Sequence, residues 1–347
     1  MGMAKRKYSK RSSKIEPAIQ TMTVTMPVVG PGAIGTYFCD LSQIASLANR
    51  RFYRQGINWA LSGIKVRSAA GALGVISLSK LPNTWVMSNA WEKSMRTWNK
   101  MNREALAESQ SVRPKFLDFK IYADEDHHAA GYGANLLPID LNGAAATAGE
   151  WTASKVSIPL VSPAGAFLPG ETVERELIAV GASYPGVSAV TGFNAVSLIE
   201  GYAASRGLPN IADPNTPSDA DDIGGGTAEN WMSAIFNEGT DQKSDVIDDM
   251  ITENTIAPYP FENDGVHTDT MYPGGANQLA TLQPHDIENI TGTTIGGTTR
   301  LKGGNFPCGL MRFDFLNQAE VPQGLNIQLE FIPGTHRGYL CEPMTEM

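Results

Sequence analysis

Gly324-Leu325-Asn326-Ile327-Gln328-Leu329-Glu330-Phe331 places an apolar residue at every second position and a polar one between. That period of two is the signature of a strand with one buried and one wet face. Met311-Arg312-Phe313-Asp314-Phe315 repeats the pattern just upstream. Working outward, Met22, Val24 and Met26 alternate with Thr21, Thr23 and Thr25, and Ile64 and Val66 with Lys65 and Arg67. Leu117, Phe119 and Ile121 oppose Asp118 and Lys120, and Val156, Ile158 and Leu160 complete the regular set. Less regular candidates lie at Gly74 to Ser79, Glu176 to Val180 and Ala195 to Ile199. One-face-buried strands belong to antiparallel sheets, and about eight of them along the chain predict a mainly β fold, a single jelly roll with helical and loop insertions.

The division expected is an unstructured basic arm at 1–20, the first part of the jelly roll at 21–205, an acidic loop-rich insertion at 206–290, and closing strands with a tail at 291–347. One helix is expected within the first part, about Asn89 to Glu108, with Trp91, Met95, Trp98 and Ala105 on one face. Lys93, Arg96, Lys100 and Arg103 recur at helical spacing on another face. Two short helices are expected near Asn230 to Phe236 and Asp241 to Thr252.

Charge is unevenly spread. Residues 1–120 hold 19 of the 27 Lys and Arg and 6 of the 36 acids, which leaves 8 bases and 30 acids for the rest: about +13 against −22. Lys5, Arg6, Lys7, Lys10, Arg11 and Lys14 lie in a stretch with almost nothing apolar to bury, so a flexible polyanion-binding arm is expected. Six charges on single-stranded phosphates give a salt slope of roughly −4. The run also reads as a nuclear address. A free-standing nucleic-acid-binding domain is usually basic throughout, whereas a shell around nucleic acid needs cations on one side only. Between Asp213 and Asp269 there are 14 acids and a single Lys243, which suggests a face turned away from nucleic acid.

At 347 residues with 42% hydrophobic content the chain can bury a sizeable core. It shows no apolar run near 20 residues and no apolar stretch after the basic start, so neither a membrane span nor a signal peptide is expected, and synthesis in the cytoplasm is. Cys39, Cys308 and Cys341 read as reduced structural thiols.

Gly30-Pro31-Gly32-Ala33-Ile34-Gly35 matches the dinucleotide-binding GxGxxG pattern, but the Thr-alternating strand before it is unlike a strand buried on both faces. An NADP-linked oxidoreductase rests on this loop alone; a glycine-rich turn is the preferred reading. Asp124-Glu125-Asp126-His127-His128 reads as a surface loop, because contiguity is not a coordination geometry. Asp219, Asp221 and Asp222 offer oxygen ligands for an interfacial calcium ion, without the EF-hand register. No other cofactor is expected, and the chain lacks recognisable nucleophile, zinc or phosphate-loop motifs, so a structural protein is expected rather than an enzyme.

Several phrases carry a resemblance. They are Met3-Ala4-Lys5-Arg6-Lys7, Asn49-Arg50-Arg51-Phe52-Tyr53-Arg54-Gln55-Gly56, Leu81-Pro82-Asn83-Thr84-Trp85, Asn89-Ala90-Trp91-Glu92-Lys93 and Asp118-Phe119-Lys120-Ile121-Tyr122. Further along come Gly149-Glu150-Trp151-Thr152, Gly201-Tyr202-Ala203-Ala204-Ser205-Arg206, Asp213-Pro214-Asn215-Thr216-Pro217 and Tyr272-Pro273-Gly274-Gly275. Over about residues 1–280 the chain resembles the capsid proteins of small circular Rep-encoding single-stranded DNA viruses. The resemblance implies a jelly-roll subunit, self-assembly into an icosahedral shell, an inward basic arm on a single-stranded DNA genome, a host receptor, no membrane and no enzymatic activity. The location implied is the virion, with a nuclear stage in assembly. The arm is shorter than that group often carries, and Arg50, Arg51 and Arg54 are expected to supplement it. The alternative is a β-sandwich carbohydrate- or calcium-binding module.

Overall fold

In the computed structural model, residues 17–107, 111, 118–140, 142–161, 167–181, 195–204, 231–232, 282–291 and 297–346 are described. Four strands come first: β1 (Thr21–Val29), β2 (Ile34–Asp40), β3 (Ile57–Ser68) and β4 (Gly74–Lys80). An excursion over residues 81–282 carries β5 (Lys155–Val161), β6 (Phe167–Ile178) and β7 (Ala195–Ser197). Then follow β8 (Gln283–Ile290), β9 (Thr298–Phe306), β10 (Leu310–Asn317) and β11 (Gln323–Phe331), and the short β12 (Pro333–Gly334), β13 (Gly338–Tyr339) and β14 (Cys341–Pro343). The helices are α1 (Leu41–Asn49), α2 (Trp85–Ala105), α3 (Glu125–Ala130) and α4 (Leu198–Ala204).

The molecule is mainly β, and its antiparallel sheets make a sandwich. The first sheet runs β1-β11-β3-β9, with β14 added to the start of β3; the second runs β2-β10-β4-β8. Alternation becomes packing through register: Leu329 lies opposite Met22 and Ile64, and Phe313 opposite Tyr37 and Leu78. The apolar halves of these strands therefore point one way. Met22, Ile64, Leu301 and Ile327 from the first sheet meet Ile76, Phe313 and Phe315 from the second in one core. Burying each such side chain contributes about 1.5–3 kcal/mol.

The excursion has its own core. Trp91 and Trp98 of α2, Phe119, Leu177, Val196 and Ile199 pack together. Here β5, β6 and β7 form a separate sheet in which β6 and β7 are parallel. Val156 was expected in the sandwich, but alternation reveals a buried face and not which core it faces. Phe119 and Ile121 are buried without a strand ladder; Tyr122 makes one isolated bridge to Ile178. Conversely, Gln283–Ile290, grouped with the acidic insertion in the sequence, is the edge strand β8 beside β4. Helix α2 starts four residues before Asn89, where Thr84 Oγ1 accepts the Met87 N–H at 3.4 Å. The helices expected near residues 230–236 and 241–252 lie outside the described residues except Trp231 and Met232, which are helical.

The Gly30–Gly35 loop is a turn that carries the chain from the first sheet to the second. Gly32, at φ +68, donates its N–H to Asn317 O, and Asn317 donates its own to Ala33 O. A strand follows where a phosphate-binding loop needs a helix N-terminus. The acidic run at Asp124 is also not a loop. Asp124 caps α3 by accepting the His127 N–H at 2.9 Å, and among the described residues no group of His, Cys, Asp or Glu could hold a metal ion.

Candidate nucleic-acid interface

The connection from α1 to β3 is an extended segment pinned at alternate positions. Tyr53 is buried, donates its hydroxyl to Arg337 O at 3.0 Å and its N–H to Ser46 Oγ at 2.9 Å. Two residues on, the buried Gln55 amide donates to Asp40 Oδ2 and Ile121 O, each at 3.0 Å, and accepts the Ile121 N–H at 2.7 Å. Arg54, at the position between them, is therefore turned outward and exposed, and Arg51, before the pinned pair, is exposed as well. Arg50 closes α1 in the left-handed region, φ 53, where glycine is usual.

Asp40 is the anchor beneath this segment. Its carboxylate caps α1 through the Ser42 and Gln43 N–H groups and also receives Gln55 Nε2 and Trp151 Nε1. Burial pushes its carboxyl up to about 6 despite those bonds. Beside it Lys120 lies 4.6 Å from the Trp151 ring centre and 5.6 Å from that of Phe52, with Asp118 at 3.5 Å. Burial raises the Asp118 carboxyl, which Lys120, the Gln55 N–H and Arg54 oppose.

The start of the described chain is fastened here. Arg51 Nη1 donates to Pro17 O at 3.1 Å, Ile19 N–H to Asn49 Oδ1 at 3.0 Å, and the Tyr339 hydroxyl to Ile19 O at 2.6 Å. The segment carrying Lys5, Arg6, Lys7, Lys10, Arg11 and Lys14 lies outside the described residues and joins the protein at this point. Arg50 shares an open groove of about 840 Å3 with Arg67, Thr21, Thr23 and Asn326. Arg54 instead faces a second pocket with Arg337 and His336. Burial, then Arg337 and Arg54, keep the His336 imidazole below its usual range.

Residues the sequence reading passed over extend the cationic surface. On the outer face of the first sheet Lys65 stands opposite Arg300 across β3 and β9, with Arg67 and Lys302 alongside. Lys65 pairs with Glu330, Arg67 donates to Gln328 Oε1 at 2.6 Å, and Lys302 lies 3.3 Å from Asp286. For Lys65 and Arg67 the signal was the same alternation that revealed β3, read on its polar side; Arg300 and Lys302 lie on β9, whose pattern Gly303 and Gly304 interrupt. The stripe on α2 is less available: Arg96 binds Glu92, Lys93 lies over Tyr202, and Arg103 bonds back to Asn99 O. Asp219, Asp221 and Asp222 lie outside the described residues.

The outer face of the second sheet differs. Its strands turn Thr36, Ser77, Ser79, Asp314 and the exposed Ile34 and Ile287 outward. Arg312 on β10 is bonded by Asp314, Asp124 and Asp126 at 2.8–3.0 Å. Helix α3 is held against this face by that cluster and by His127, whose ring stacks 4.5 Å from Phe38. No helix of the described residues is long and apolar enough to cross a membrane. Compared with known proteins, the chain matches no family model, no curated protein and no solved structure.

Proposed function

We propose that this chain is a viral coat protein, a jelly-roll subunit that assembles with copies of itself into an icosahedral shell and packages single-stranded DNA. Numbered one to eight in chain order, the sandwich strands β1–β4 and β8–β11 run 1-8-3-6 in one sheet and 2-7-4-5 in the other. That interleaving arises when four antiparallel pairs, 1-8, 2-7, 3-6 and 4-5, roll around a common axis, and it supports the jelly-roll reading. The observation that carries the function is the charge split between the two outer faces. Cations gather on the first sheet and at the root of the basic N-terminal segment, while Arg312 on the second is surrounded by three carboxylates. A wall between a polyanion and solvent needs that division. The choice of DNA follows the sequence resemblance.

Electron microscopy of the purified full-length chain tests it: uniform closed particles are expected, and monomers or small oligomers under every assembly condition would overturn the reading. Removing residues 1–14 is expected to leave particles that form but hold less nucleic acid. Unchanged cargo would remove the arm from the mechanism.

A further inference from the structure

A pocket of about 500 Å3 opens between the 52–57 segment, α2 and the 336–343 segment, a size suited to a small organic ligand. Four aromatic rings line it: Phe52, Trp91, Trp98 and Phe119. Phe119 lies 6.0 Å from Trp91 and 5.6 Å from Trp98, so the two indoles and the phenyl ring form one surface. Arg54, Arg337 and His336 line the same space. An apolar cavity has no need of guanidinium groups, and an anion site has no need of indoles. Rings beside cations suit a flat π-system that carries a negative group.

Two details point to a ligand. Trp91 is only 4% exposed, yet among the described residues its Nε1–H has no acceptor, and buried donors are nearly always paired. Gly56, which lines the pocket, abuts that side of the indole: a Cβ there would lie 2.1 Å from Cζ2 and 3.2 Å from Cε2. The glycine leaves the indole edge room that any side chain would fill. Arg337 adds a third, since it is held at φ 50, a conformation that costs a non-glycine residue energy and fixes its side chain beside the Phe52 carbonyl, 2.5 Å away. Asn99, half-exposed on α2, offers both a donor and an acceptor.

We infer that this pocket holds one nucleotide of single-stranded nucleic acid, with the base among the four rings and the phosphate on Arg54 and Arg337. The inference rests on the packaging function proposed above and gives it a base-contacting site. Proximity favours a strand as the source: Arg51, three residues from Arg54, holds the root of the basic N-terminal segment.

The test uses the full-length chain and two probes of equal phosphate count, an oligo(dT) octamer and its abasic counterpart, titrated at one fixed salt concentration. The octamer with bases is expected to bind about 10-fold more tightly, as one stacked base contributes, and to quench indole fluorescence. Asn99→Trp, which fills the pocket from a half-exposed helical position, is expected to bring the two affinities together, and Trp98→Leu, which removes one of the rings, should do the same. Equal affinities in the unaltered chain, or a base preference that survives Asn99→Trp, overturns the pocket and leaves packaging by charge standing. Binding of neither probe overturns both.

Discussion

The two sheets of the sandwich are built from the same alternation and present opposite exteriors. On the first, Lys65 faces Arg300 directly and Arg67 and Lys302 adjoin them, with Glu330 and Asp286 as the nearby acids. On the second, one arginine holds three aspartates, and around them stand Ser, Thr and apolar residues, two isoleucines among them exposed. Burial dictates only the inward half of each strand. The outward half is free to be chosen, and here it has been chosen differently on the two sides.

The strongest break of that contrast is charge reversal. Lys65→Glu, Arg67→Glu and Arg300→Glu together are expected to weaken binding of a single-stranded oligonucleotide by roughly 100-fold at low salt and to reduce the salt slope by about 2. Glutamates at Thr36, Ser77 and Ser79 on the opposite face should leave both values within about two-fold. A salt series of anisotropy titrations reads each; equal losses from both faces would erase the distinction.

Next is Arg312→Ala. It leaves Asp124, Asp126 and Asp314 without their shared cation and is expected to lower unfolding stability by about 2 kcal/mol, below the cost at a fully buried pair because the site is partly exposed. Urea unfolding measures it, and oligonucleotide affinity should not change.

The pH dependence sharpens the second face further. Burial holds His127 near 3, with Nε2 bonded to Asn135 Oδ1 at 2.8 Å and Nδ1 accepting the Ala123 N–H at 3.0 Å. A folded value below the unfolded one means stability is complete above about 6.5 and falls by about 1.4 kcal/mol per unit as pH drops from there toward 3. Asp40 acts in the opposite sense: its carboxyl, raised to about 6, contributes stability at low pH that is lost as pH rises through that value. The difference between the unaltered chain and His127→Gln isolates the histidine, and unfolding curves at pH 7, 6 and 5 should show its slope. The smallest effect belongs to Glu330→Gln, which should change stability by less than about 1 kcal/mol and steepen the salt slope by about 0.7.

The strands with large inward residues were legible. Leu325 to Phe331, Met311 to Phe315 and Met22 to Met26 lie where their periodicity puts them. Edge strand β8 was not, because Pro284 and the exposed Ile287 break the pattern and its ladder to β4 shifts register near Leu78. Gly303 and Gly304 obscured β9 in the same way. Adding a Cβ at Gly303 would place it 2.4 Å from Leu61 O, so a close approach of backbones took the place of an apolar signal. At the interface, the arginines of 50–54 could be read from charge, but not the buried Tyr53 and Gln55 that aim them. Those partners come from residues 40, 46, 121 and 337, brought together only by the fold. The aromatic pocket is likewise assembled from segments some 280 residues apart.

The apposition of Lys65 and Arg300 across β3 and β9 has an energetic corollary. Two like charges directly opposite in a sheet repel, by a few tenths of a kcal/mol to about one. A polyanion laid over them relieves that repulsion, and whatever binds the folded chain alone stabilises it by mass action. The filled subunit should therefore melt at a higher temperature than the empty one, and the increment should vanish in high salt. Bound nucleic acid would then act as a folding ligand, and, on the packaging function proposed above, particles that lose it would be the weaker ones.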